Sequence, residues 1–298
     1  MAFNLNHNKL GFLIWGIRID NVIFFLGFPL LGAFLVIPDL SWASLQKLTL
    51  FGILSAMLLT QTFIVNDLGD SVLNPEEPKY RPRHALKHPE ILNFKQLVGL
   101  CVILSILSVA GIFLLSGGAG IFSLSAWAIS IIYSHPRLTL KKRLFLPELA
   151  HLLFAGALFL SGWKLFQPVS LESLLLTLFF GLVLTAGDLV NQIEDFEREI
   201  IVGLRTSAII FGKRPVSRFA LWLFYFSSLY LFGLALAGSI QNWIKWPGLI
   251  LIIIWTGTIF SLRKKDPLKN ISKFRRWIRL IYALFSFFLV LTLILRKI

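Results

Sequence analysis

Residues 48–74 read LTLFGILSAMLLTQTFIVNDLGDSVLN. The stretch 48–65 carries no charge, and it is long enough to cross a hydrocarbon core of about 30 Å as a helix. Then Asn66, Asp67, Asp70 and Asn74 arrive together at its end. Carboxylates at the end of a span are costly unless they serve a purpose. This stretch predicts a membrane helix with carboxylates at its mouth; taken alone those carboxylates read as a solvated, paired surface, and only a second, matching stretch makes them a site.

The rest of the chain extends that reading. Of 298 residues, 56% are hydrophobic and 15% charged, and the mean hydropathy is +0.77. A soluble domain carries about a quarter charged residues, so a disordered chain is excluded and the composition argues against an ordinary soluble enzyme. The 28 Phe and 9 Trp fit membrane cores and interfaces. The one cysteine, Cys101, lies inside an apolar run and reads as a small buried hydrophobe. Apolar runs near 20–37, 48–65, 97–116, 119–134, 147–163, 172–190, 219–238, 247–262 and 278–295 predict nine spans. The expected fold is an all-α integral membrane protein: a bundle of nine transmembrane helices with cytoplasmic helical and loop caps. It is read as one domain over 1–298.

Basic residues orient the bundle. All but five of the 29 Lys and Arg fall on one set of alternate connections; Lys47, Lys164, Lys245, Arg296 and Lys297 are the exceptions. The positive-inside bias puts the N-terminus in the cytoplasm and the C-terminus outside, with the cell inner membrane as the expected location. The net charge of +14 is read as basic loops facing anionic lipid rather than as a nucleic-acid surface. The cluster Arg263, Lys264, Lys265, Lys269, Lys273, Arg275 and Arg276 is read the same way, as a lipid anchor.

A second acidic stretch echoes the first. Asn191-Gln192-Ile193-Glu194-Asp195-Phe196-Glu197-Arg198-Glu199 matches Asn66 to Asn74 at a constant offset of 125 residues. Asn66 pairs with Asn191, Asp70 with Asp195, and Asn74 with Glu199, so two half-units echo near 59–74 and 184–199. Positions i, i+4 and i+8 share a helix face. Asn66, Asp70 and Asn74 would form one oxygen-rich stripe, and Asn191, Asp195 and Glu199 another. Hard oxygen donors suit Mg²⁺, which keeps several waters and is completed by substrate phosphates. Arg81 follows the first stripe and Arg205 the second, which points to a diphosphate between metal and arginine. The competing reading pairs these acids with loop Lys and Arg on a solvated surface.

Four motifs in this order resemble the UbiA superfamily of intramembrane prenyltransferases. Asn66-Asp67-x-x-Asp70-x-x-x-Asn74 is similar to that family's N-D-x-x-D-x-x-x-D. Glu77-Pro78-Lys79-Tyr80-Arg81-Pro82 resembles its E-P-Y-R-P type of ending. Tyr133-Ser134-His135-Pro136 with Leu140-Lys141-Lys142 resembles Y-S-x-P…L-K-R, and Asp195 to Glu199 with Gly203-Leu204-Arg205-Thr206 and Gly212-Lys213 resembles D-x-E-x-D…G-x-x-T…G-K. The resemblance covers nearly the whole chain. Asn74 and Glu199 stand where the family usually has Asp.

The resemblance implies a Mg²⁺-dependent transfer of an isoprenyl group from an isoprenyl diphosphate to an aromatic or lipid-like acceptor. Asp67, Asp70, Asn74, Asp195 and Glu199 are the implied metal ligands. Asn66 and Asn191 would orient ligands or metal-bound water. Arg81, Lys141, Lys142 and Arg205 would neutralise the leaving diphosphate, and Tyr133 would hydrogen-bond it. A polytopic transporter and a catalytically degenerate, lipid-binding homologue stand as alternatives. Transporters place charge near the midplane, and here only His151 and Asp188 come close to it. The sequence leaves open whether Asp188 faces a cavity or pairs within the bundle. It also leaves open whether Arg18 meets lipid phosphate or the site. His84 and His88 are read as members of a solvated loop.

Overall fold

The computed structural model describes residues 16–76, 84–138, 140–264 and 270–297. Among the described residues all regular structure is helical. Nine long helices fall where the nine apolar runs predict them. They are α1 (Ile19–Leu35), α2 (Trp42–Leu73), α3 (Phe94–Leu115), α4 (Gly117–Ser134), α5 (Leu146–Lys164), α6 (Leu171–Glu194), α9 (Lys213–Leu236), α10 (Lys245–Lys264) and α11 (Ile271–Lys297). Two short helices, α7 (Phe196–Val202) and α8 (Ser207–Phe211), intervene between α6 and α9. Eight of the nine are long and apolar enough to cross a membrane. The ninth, α1, has 17 residues, about 26 Å at 1.5 Å per residue. The chain is an integral membrane protein.

Local chemistry starts these helices where the apolar runs begin. Ser41 and Ser116 accept the backbone N–H groups of Ser44 and Ala119. Asn93 with Gln96, and Ser170 with Ser173, form reciprocal capping boxes. In lipid each backbone polar group must find a partner within the protein, so such caps keep helix starts satisfied close to the membrane.

α5 and α6 occupy the centre, with 67% of each apolar window buried, against 22% for α3 at the periphery. α5 packs on α1, α4 and α6; α6 also takes α9 and α11; α2 packs on α1, α3 and α4. Outward faces stay apolar, as Val102, Ile106 and Leu114 on α3 show, because their solvent is lipid.

The long connections gather at one end: those after α2, α4 and α6. Lys297, at the end of α11, donates to the carbonyls of Ile37 and Pro38 at the other end. α2 reaches past its apolar run. Its 32 residues extend about 48 Å, so the turns bearing Asn66, Asp67 and Asp70 lie beyond the 48–65 segment while remaining helical.

Candidate active site

A cavity of about 630 Å³ opens among α1, α2, α4, α5, α6 and α11 at the end with the long connections. The first stripe enters it from α2. A Cβ on Gly69 would lie 2.2 Å from the carbonyl oxygen of Ser134, so the α2 and α4 backbones touch there. That approach sets Asp70 on the wall it shares with Tyr133 and Ser134. Lys141, from the single turn Leu140–Lys142, is buried and pairs with Asp70. Asn66 lines the same cavity one turn earlier.

The second stripe enters from α6 and α7. The α-helix breaks at Asp195, yet its i→i−4 bonds persist: the Asp195 N–H donates to Asn191 O and the Glu199 N–H to Asp195 O, both at 2.9 Å. Asn191, Asp195 and Glu199 therefore stay on one face and all three line the cavity. Arg198 pairs with Asp195 at 2.8 Å. Glu199 is buried and accepts the Thr206 hydroxyl at 2.7 Å. Burial pushes its carboxyl up to about 7, against the Thr206 hydrogen bond, which favours the charged form.

Several expected residues sit elsewhere. Asp67 does not line the cavity: it is 1% exposed, pairs with Arg18, and accepts the Ala85 N–H at 3.0 Å. One helical step from Asn66 rotates it by about 100°, away from the lumen and against the chain entering α1. Asn74 is the C-cap of α2 with extended backbone, so it leaves the helical stripe. Its side-chain oxygen takes the Glu76 N–H, and it lines a small adjoining pocket with Asp70, Lys141, Arg198 and Glu199. Arg205 is exposed. Gly203, at φ 71°, ends α7 in the left-handed region that favours glycine. The chain then runs without helix, sending Leu204 and Thr206 to the cavity and Arg205, between them, to the surface. Arg81 and the side chain of Lys142 lie outside the described residues.

Other residues reach the site that the sequence left open or assigned elsewhere. Arg18 lines the cavity, held in the left-handed region at φ 56° with its guanidinium on Asp67. Arg275, Arg276 and Arg279 of α11, read above as a lipid anchor or left unassigned, line it too. Arg275 pairs with Glu194 at 2.6 Å, and Arg279 donates to Asn21 at 2.7 Å. Asp188 both faces the cavity and pairs within the bundle, with His151 and Gln192. The signal for the α11 residues was the i, i+1, i+4 spacing of arginines at the start of an apolar run. Deeper in, Phe25, Phe63 and Phe154 form the apolar wall, with Phe25 and Phe63 edge to face at 5.4 Å. His84 is buried, not solvated; its Nδ1 takes the Leu86 N–H at 3.1 Å.

A model of the UbiA prenyltransferase family matches residues 25–293. This chain belongs to the UbiA prenyltransferase family. It is thus an intramembrane transferase of prenyl groups, as the motif order implied. No curated protein matches it. Among solved structures it is similar to a UbiA homolog from Archaeoglobus fulgidus bound to DMAPP and Mg²⁺, with a TM-score of 0.71 and 16% identity over 93% of this chain and 98% of that one. The same homolog bound to GPP and Mg²⁺ gives 0.70 and 16% over 95% and 99%. A digeranylgeranylglyceryl phosphate synthase gives 0.67 and 17% over 96% and 99%. These likenesses establish the UbiA membrane fold.

Among the described residues no three His, Cys, Asp or Glu side chains converge into a closed metal cluster. Mg²⁺ does not need one, since it is usually held by one or two carboxylates plus waters and substrate phosphates. Asp70, Asp195 and Glu199, with the amides of Asn66 and Asn191, supply hard oxygens on one cavity. They fit Mg²⁺.

Proposed function

We propose that this UbiA-family member transfers an isoprenyl group from an isoprenyl diphosphate to an aromatic or lipid-like acceptor, with Mg²⁺. One observation carries the reading: two oxygen-donor stripes and the cations Lys141 and Arg198 line a cavity whose deeper wall is aromatic. The Archaeoglobus fulgidus structures with DMAPP or GPP and Mg²⁺ support it by likeness of fold. Asp70, Asp195 and Glu199 would hold the metal, with Asn66 and Asn191 beside them. When bound, the metal would neutralise a diphosphate and favour its departure.

The chain's own groups do the rest. Lys141 and Arg198 already sit on the carboxylates of the two stripes. They are placed to exchange those contacts for diphosphate oxygens as charge builds on the leaving group. Tyr133 stands on the same wall, within the cavity that holds the donor. Phe25, Phe63 and Phe154 present faces that shelter an allylic cation and exclude water that would quench it. Arg18, buried against Asp67, adds positive charge to the cavity wall without using a cavity carboxylate.

The positive-inside bias supports a cytoplasmic site and N-terminus, an external C-terminus, and the cell inner membrane as the location. Reporter fusions test this: one at Ile298 should read outside and one at Lys87 inside. The two stripes, on equivalent ends of α2 and α6, support one domain built from two echoed half-units. The central test incubates purified protein with labelled geranylgeranyl diphosphate, Mg²⁺ and a membrane-lipid extract. Metal-dependent diphosphate release and a labelled lipid or phenol are expected. Absence of release with Mg²⁺ present would remove the reading and favour a degenerate, lipid-binding homologue.

A further inference from the structure

Prenyl transfer to an O–H or ring C–H nucleophile leaves one proton to be taken up, and the aspartates at the diphosphate end are engaged by Lys141 and Arg198. We infer that His151 and Asp188 are the proton acceptor for the acceptor substrate. This rests on the transferase reading above. Both side chains line the cavity. His151 Nδ1 lies 2.8 Å from the carbonyl oxygen of Pro147. A carbonyl only accepts, so Nδ1 carries the hydrogen. Nε2 of the neutral ring is then a bare lone pair, 3.4 Å from Asp188 Oδ1. A proton taken up at Nε2 would lie beside that carboxylate.

The surroundings fix both partners. The Gln192 side-chain N–H groups donate to Asp188 Oδ2 at 2.8 Å and to Glu148 Oε1 at 3.0 Å. The Ala208 N–H donates to the Gln192 carbonyl oxygen, which sets the amide's orientation. Asp188 therefore turns Oδ1 toward His151, and Tyr133 meets the imidazole edge to face at 5.3 Å. Asp188 precedes Asp195 by seven helical residues, about 10 Å along the axis. The pair thus lies below the diphosphate end, at the depth where the donor's reacting carbon would meet the acceptor.

The step balances. The donor C–O bond breaks and its electron pair leaves with the diphosphate. The acceptor's electron pair forms the new bond to the allylic carbon, and its proton passes to His151 Nε2. The resulting imidazolium is held by Asp188 until the products leave and water entering the cavity takes the proton.

The test uses the full-length protein, labelled geranylgeranyl diphosphate, Mg²⁺ and a membrane-lipid extract as the acceptor source. Diphosphate release and labelled transfer product are measured separately. In His151→Ala and Asp188→Asn, transfer should fall about a hundredfold or more, while release falls only a few-fold, with prenyl alcohol as the diverted product. The amide introduced by Asp188→Asn would present an N–H to His151 Nε2 and occupy the lone pair that must take the proton. Added imidazole should restore transfer in His151→Ala, which loss of a merely structural side chain would not show. Unchanged transfer in both variants overturns the inference. So does a parallel fall of release and transfer, which would assign the pair to donor binding. A wild-type protein that releases no diphosphate, or releases it and labels nothing, fails the transferase reading first and this inference with it.

Discussion

The two echoed stripes have the same spacing and different fates. On α2 the helix stops at Leu73, and Asn74, though its N–H still bonds Asp70 O, takes an extended backbone as the cap and lines the small adjoining pocket instead of the main cavity. On α6 the chain breaks at Asp195 but keeps its i→i−4 bonds into α7, so Glu199 stays on the face of Asn191 and Asp195. The first motif also splits its two aspartates: Asp70 faces the cavity with Lys141, while Asp67, off the stripe, is sunk beside it against Arg18. Spacing marks which residues share a face. Where the helix ends, and what packs behind it, decides which of them reach the lumen.

The largest effect should come from breaking the sunken pair. Asp67→Ala leaves the buried Arg18 guanidinium without that carboxylate and should cost about 3–5 kcal/mol of stability. A fall in detergent-solubilised Tm and folded yield would show it. Unchanged stability with lost Mg²⁺ dependence would instead return Asp67 to the metal set.

Next come the cavity aspartates. Asp70→Ala and Asp195→Ala should each lower turnover about a hundredfold or more; melting should change little for the part-exposed Asp195, while Asp70→Ala should also lower Tm because the buried Lys141 loses its carboxylate. Near wild-type turnover in either variant would break the two-stripe reading.

Glu199 sharpens the contrast through pH. Its folded carboxyl is raised from 4.5 to about 7, so between those values the folded state binds more protons than the unfolded state. The stability from its protonated form is fully present below about 4.5 and is lost as pH rises through about 7. Metal-free wild type should therefore lose several degrees of Tm, roughly, across that window, and Glu199→Gln should flatten the slope. An unchanged slope in the variant would mean that Glu199 does not titrate there.

The smallest effect is expected at Arg205. It is exposed between two cavity residues, so Arg205→Gln should leave turnover per folded molecule within about twofold, as for most surface substitutions. A tenfold loss of kcat would place it back on the leaving diphosphate.

Composition and local spacing alone determined much of this protein. Runs of apolar residues specify nine helices because the hydrocarbon core sets their length and lipid permits no exposed backbone. The 125-residue echo placed Asp70 and Asp195 at equivalent helix ends, and both reach one cavity. The fates of Asp67, Arg205, Arg18, Arg275 and Arg279 were not legible, because each depends on a partner 49 or more residues away or on the path of a non-helical loop. Arg275 looked like one more basic residue on a lipid-facing surface until Glu194 of α6 came to lie against it. His151 and Asp188 are 37 residues apart and share no motif; only the packing of α5 on α6 brings them together. Helix formation is a matter of neighbours in sequence and of the surrounding solvent. The assembly of a site depends on how helices cross, and those contacts exist only once the bundle has closed.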